Sequence, residues 1–152
     1  MDKTITVERD IWIAASRERV WKAISEPEQF DKWFSPGTHW RSTGMHVGAK
    51  FSVYDPDSDT DLYTQIIEVV DPPHRFVTRS APEPPETPFV TTWTLLEENG
   101  GTRLLLQFSG YESLPGDTRR QRADQDNMGF GMMLENIKAV VEGTPLPYPQ
   151  GF

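Results

Sequence analysis

The sequence predicts an α+β domain in which a curved six-stranded antiparallel sheet and two short helices grip a long C-terminal helix. Three observations carry this expectation. Residues 45–111 are rich in alternating apolar and polar positions broken only by short turns. Two helix starts, at Ser16 and Pro27, lie between the first strand and that region. Phe130, Met133, Leu134, Ile137, Val140 and Val141 then recur at spacings of three and four, the period of a helix with one buried face. A sheet that wraps a single helix usually encloses a cavity.

The first strand runs from Thr4 to Ile13, with Ile5, Val7, Ile11 and Ile13 on one face and Thr6, Glu8 and Asp10 on the other. Arg9 interrupts the apolar face. That placement fits a strand-edge arginine whose stem snorkels outward, or an arginine turned into a cavity to meet an anionic group. Ser16 is an N-cap, with Glu18 in the first turn and Val20, Trp21 and Ile24 at helical spacing. A second helix starts at Pro27, carries Phe30, Trp33 and Phe34, and stops at Ser35-Pro36-Gly37. Five further strands follow: Val47 to Tyr54, Leu62 to Val70, Arg75 to Ser80, Phe89 to Glu97, and Thr102 to Tyr111. Pro72-Pro73 turns the chain between the second and third of these, and Asn99-Gly100-Gly101 makes the last hairpin. Strands joined so closely form an antiparallel meander. Asp117 or Thr118 is positioned to cap the last helix, which Gly143-Thr144-Pro145 ends. Gly129 and Gly131 weaken its middle by roughly 1 kcal/mol each against alanine. Close approach to the sheet or a bend would account for them.

A chain of 152 residues is expected to form one domain, with a core at about 4–143 and a Pro-rich tail at 144–152. Five Trp, eight Phe and four Tyr offset a modest apolar fraction of 36%. A net charge of −8 without a Lys/Arg run argues against nucleic acid as a partner. The absence of cysteine rules out disulfide and thiolate chemistry. The first residues lack a signal-peptide core and no apolar run would span a bilayer, so a cytoplasmic protein with no membrane partner is expected.

The ordered motifs are similar to those of a known superfamily. Val20-Trp21-Lys22-Ala23-Ile24, Pro27-Glu28, Trp33-Phe34, Gly48 and Phe51 open the series. Val69 to Pro73, Thr92-Trp93-Thr94-Leu95 and Gly101-Thr102-Arg103-Leu104 continue it, and Gly129-Phe130, Leu134, Ile137 and Lys138 complete it. Over Thr4 to Gly143 the chain resembles the SRPBCC (START-like, birch-pollen-allergen-like) superfamily. Its nearest branch is that of the activator of the heat-shock chaperone ATPase homologue-like proteins. Phe130 stands where that branch usually has Trp, and Ala49 where a second Gly is common. The resemblance implies a helix-grip fold with an apolar cavity between sheet and C-terminal helix. Relatives bind lipids, sterols, polyketides or hormones, some cyclise polyketides, and a eukaryotic group assists the chaperone. Fold does not choose among these.

The expected function is therefore binding of a small hydrophobic molecule, a lipid, polyketide or aromatic metabolite, without cofactor or metal. The expected ligand-binding residues are Trp33, Phe34 and Trp40 near the mouth, and Phe51, Tyr63, Phe76, Trp93 and Phe108 on strands. Met128, Met132 and Met133 join them from the helix, because methionine adapts to irregular space. Arg9, Tyr63 or Asn136 would orient a polar end. Each aromatic taken singly also fits plain core packing. An enzyme of the cyclase or dehydratase kind needs a titratable group in the cavity, and Arg9, His39, Tyr54 and Tyr63 are the candidates. A chaperone or other protein partner, and a monomer or homodimer, fit the family. Asp55, Asp57, Asp59 and Asp61 resemble the start of a calcium loop, but Thr60 replaces its glycine and Ile66 its bidentate glutamate. His39, His46 and His74 lack metal-ligand spacing. Asp124, Asp126 and Glu135 read as a solvated helix face. Pro82 to Pro88 holds a Pro-x-x-Pro pattern, read as a stiff exposed loop.

Overall fold

Seven antiparallel strands form one sheet in the order β1-β7-β6-β5-β4-β3-β2 in the computed structural model, which describes residues 5–34, 38–80 and 89–150. The strands are β1 (Thr6–Ile13), β2 (His39–Ser42), β3 (Lys50–Asp55), β4 (Thr60–Asp71), β5 (Arg75–Ser80), β6 (Val90–Glu98) and β7 (Gly101–Ser109). Helices α1 (Arg17–Ser25) and α2 (Pro27–Trp33) follow β1, and α3 (Gly116–Glu142) closes the chain after a single 3-10 turn at Tyr111–Ser113. The meander runs from β2 to β7, and β1 returns to pair with β7 at the far edge. Register shifts at Val53/Tyr54 and Ile67/Val69 mark irregularities in β3–β4 and β4–β5, the places where a sheet bends. No described helix is long and apolar enough to cross a membrane.

Alternation explains the strands that the sequence predicts, and brevity explains the one it misses. β2 is a seventh strand of only four residues, too short for a readable alternation. Its pairing is what defines it, with Trp40 opposite Val53 and Ser42 opposite Phe51. Val47, expected in the next strand, lies outside it and is exposed. The expected α3 cap is also corrected. The helix begins at Gly116, directly after Pro115, and Asp117 sits in its first turn, where a carboxylate favours the helix N-terminus without capping it. Thr4, Ser35-Pro36-Gly37 and Pro82 to Pro88 lie outside the described residues.

Local contacts fix the helices. The Ser16 hydroxyl accepts the Arg19 N–H at 3.3 Å, and Pro27 occupies the first turn of α2. The Trp33 indole donates to the Ala23 carbonyl at 2.7 Å, supplying one of the carbonyls that the end of α1 leaves without a helical donor. Gly143 ends α3 with φ of 77°, the left-handed conformation that glycine adopts without strain. Glu142 accepts the Ala14 N–H at 2.8 Å and Lys138 Nζ at 2.8 Å, tying α3 to the end of β1. The Ala14 hydrogen bond, then Lys138, hold the Glu142 carboxyl below its ordinary pKa. A depressed carboxylate pKa contributes stability above the unfolded value of about 4.3, lost as pH falls through the folded value. Glu142→Gln is therefore expected to destabilise the protein at pH 7. Urea unfolding of both proteins should show that deficit vanishing at acidic pH.

The two helix glycines differ. A Cβ on Gly131 would meet Arg9 Nη2 at 2.5 Å, so this glycine admits the arginine against the helix. A Cβ on Gly129 would meet nothing within 4 Å. Gly129→Ala is therefore expected to raise stability by about 0.5–1 kcal/mol, read as a higher urea midpoint.

The core divides in two. The larger cluster joins Ile13, Ile24, Trp33, Phe51, Phe76, Trp93, Leu104 and Ile137 between sheet and helices. A smaller one joins Val7, Tyr111 and Ala123, flanked by Phe89, Phe108 and Phe130. Between them the packing leaves a space.

Candidate ligand cavity

That space is a cavity of about 360 Å³, large enough for a small organic molecule. Inward-facing residues of adjacent strands build it in rows. Phe76 of β5 is paired with Trp93 of β6, and Trp93 with Leu106 of β7. One step along the same face, Thr78 is paired with Thr91, and Thr91 with Phe108. On β4 the inward series runs Ile67, Gln65, Tyr63. β4, β5 and β6 thus pass from large apolar side chains to polar ones in the same direction, while β7 stays apolar with Leu106 and Phe108. The cavity inherits an aromatic end and a polar end from the sequence alternation alone.

The aromatic end is closed. Trp33 is fully buried, and Phe30 packs against it at 4.4 Å, against Trp40 at 4.9 Å and against Phe51 at 4.8 Å between ring centroids. Phe34 stands edge-on to Trp40, and Trp33 edge-on to Trp93. Phe108, Phe130 and Met133 complete the wall from β7 and α3. The Trp40 indole N–H is buried and without a hydrogen-bond partner among the described residues.

The polar end is the open one. Tyr63 is half exposed. Burial pushes its phenol pKa up, against smaller opposing effects of the Ser80 hydroxyl and the Arg122 charge. The Thr78 hydroxyl donates to Gln65 Oε1. From α3, Arg122 Nε donates to Asp126 Oδ1 at 3.3 Å, and the buried Tyr111 hydroxyl donates to Asp126 Oδ2 at 2.7 Å. Burial, reinforced by Asp126, raises the Tyr111 pKa well above the ordinary phenol range.

Nine residues named from the sequence lie on this wall: Trp33, Phe34, Trp40, Phe51, Tyr63, Phe76, Trp93, Phe108 and Met133. Three do not. Met128 and Met132 line a separate shallow groove with Gln121, Gln125 and Gly129 on the outer side of α3, where Met128 is 70% exposed. Successive helix residues turn by about 100°, so the side chain of Met132 diverges from that of Met133. Arg9 sits on the edge strand β1, exposed, and donates to the Asn127 carbonyl at 3.4 Å. It follows the snorkelling alternative.

Other expectations change too. Trp33 and Trp40 belong to the closed end rather than the mouth, because α2 and β2 carry them into the core, where both are buried. Asn136 does not orient a ligand. Its amide donates to the carbonyls of Trp33 and Tyr148 and its oxygen accepts the Tyr148 N–H, fastening the tail to the core. Asp126 is not simply solvated, since it accepts from Tyr111 and lines the cavity. His39 and Tyr54 face one another away from the cavity, with ring centroids 5.9 Å apart. Asp59 and Asp61 hold Arg41 at 2.6 and 2.8 Å.

Comparison with known proteins assigns the fold its family. The family model described as Activator of Hsp90 ATPase homolog 1-like protein matches residues 14–142. The chain belongs to this family, a branch of the SRPBCC superfamily. Solved structures are similar across nearly the whole chain. SA2116 from Staphylococcus aureus has a TM-score of 0.74 at 18% identity, covering 93% of this chain and 95% of its own. The Aha1 dimer from Colwellia psychrerythraea gives 0.70 at 16%, covering 91% and 96%. CalU16 from Micromonospora echinospora gives 0.66 at 17%, covering 91% and 85%. At these identities the likeness establishes the helix-grip fold. No curated protein matches the sequence.

Proposed function

We propose that this family member binds a small, largely apolar molecule in the cavity between sheet and α3. The observation that carries the reading is the space of about 360 Å³ left beside the packed aromatic end, where a plain core would be filled. A space of this size lined by rings gains affinity from apolar burial, roughly 25 cal/mol per Å² removed from water. The family's architecture supports the same reading.

An enzyme reading is weaker. Of Arg9, His39, Tyr54 and Tyr63, only Tyr63 lines the cavity, where Arg122 and Asp126 join it. A protein-interaction reading has one observation in its favour, the exposed Met128 beside Met132 in the outer groove. The solved Colwellia relative is a dimer, and self-association of this chain would be read by sedimentation.

A native mass spectrum of protein purified under mild conditions, with solvent extraction of the bound fraction, tests the binding reading. A reproducible added mass of a few hundred daltons that is reduced by blocking the cavity supports it. A clean unliganded mass, with no uptake of added apolar probes, contradicts it.

A further inference from the structure

We infer that the ligand carries an acceptor-rich anionic end, a carboxylate or comparable group, which Arg122 receives at the mouth of the cavity. This rests on the binding reading above. The hydrogen-bonding inventory of the polar end points to it. Both Asp126 oxygens already accept, from Tyr111 and from Arg122 Nε. The Tyr111 hydroxyl is committed to that bond, and Thr78 to Gln65. What remains unspent at the charged pair is donor capacity. The two terminal nitrogens of Arg122 have no hydrogen-bond partner among the described residues. The neutral hydroxyls of Tyr63 and Thr91 can donate or accept, so the Arg122 fork, a cation whose terminal nitrogens lack a protein acceptor among the described residues, decides the preference for an accepting, anionic group.

Geometry and charge agree. Asp126 engages the guanidinium through Nε, leaving the two-nitrogen fork that matches a carboxylate bidentately. The guanidinium lies over the Phe89 ring, 5.5 Å from its centroid, which limits its freedom. Arg122 and Asp126 are the only charged residues on the cavity wall among those described. The net charge of −8 opposes an anion at long range, but physiological salt screens charges beyond about 8 Å.

Two dyes with one skeleton test the inference. 8-Anilinonaphthalene-1-sulfonate carries an anionic group, and N-phenyl-1-naphthylamine is the same molecule without it. Fluorescence titrations at physiological salt give the ratio of their dissociation constants for each variant. Arg122→Gln is expected to shift that ratio about tenfold against the sulfonate, and Arg122→Lys less, because it keeps the charge without the fork. Asp126→Asn, which retains an acceptor for Tyr111 but removes the competing charge, is expected to shift it severalfold the other way. A ratio within twofold of wild type for Arg122→Gln overturns the inference, as does uptake of the neutral dye alone by the wild type. If neither dye binds the wild type, the cavity reading itself falls and takes this inference with it.

Discussion

Trp33→Ala is expected to destabilise the protein by about 3–5 kcal/mol, the range for deleting a buried aromatic side chain. Trp33 is 0% exposed and packs against Phe30 and Trp93. Its indole also supplies the Ala23 carbonyl at the end of α1, so truncation leaves a buried acceptor without its donor. The backbone of Trp33 further receives Asn136 from α3, which makes the residue a junction of three helices. Against a total stability typical of 5–15 kcal/mol, the variant should be partly unfolded at moderate temperature. Urea unfolding measures this directly. Trp33→Phe separates the causes, since it keeps most of the ring packing and loses the hydrogen bond. A loss below about 1.5 kcal/mol for the alanine variant would mean that the aromatic end of the cavity is loosely packed.

Thr91→Trp is expected to weaken binding of N-phenyl-1-naphthylamine at least tenfold, about 1.4 kcal/mol, while changing stability little. Thr91 is half-buried, lines the cavity, and faces Thr78 and Phe108 across its neighbouring strands. An indole there enters empty space rather than a filled core, so the usual cost of overpacking is small. Retained affinity would place the dye elsewhere, and the groove at Met128 and Met132 is the apolar alternative.

The sheet was legible wherever alternation ran for six residues or more. β5 matches its expected bounds, and β4, β6 and β7 differ from theirs by one or two residues at each end. β2 was not legible, because four residues carry no period and only pairing with β3 makes them a strand. Cavity aromatics were legible because inward positions on the strands are apolar. The polar end was hidden for the opposite reason. Arg122 and Asp126 sit in the charged first half of α3, which reads as solvated when residues are weighed singly. Yet 122, 126, 130 and 133 follow one another at helical spacing, so extending the Phe130–Met133 stripe backward leads to both. The same wheel turns Met128 and Met132 away. Arg9 misled because its position on β1 shares the apolar face, and sequence does not say that β1 is an edge where a long side chain escapes.

The most direct test of the cavity as a binding site is the set of five tryptophan indole signals in a two-dimensional NMR spectrum, followed as N-phenyl-1-naphthylamine is added. Trp33, Trp40 and Trp93 line the cavity. Trp12 instead donates to the Glu98 carbonyl beside Lys138, away from it. Saturable shifts of the Trp33, Trp40 and Trp93 signals with Trp12 unmoved are the predicted result. Saturable binding that leaves those three signals in place and shifts the Met128 and Met132 methyl resonances would contradict the account.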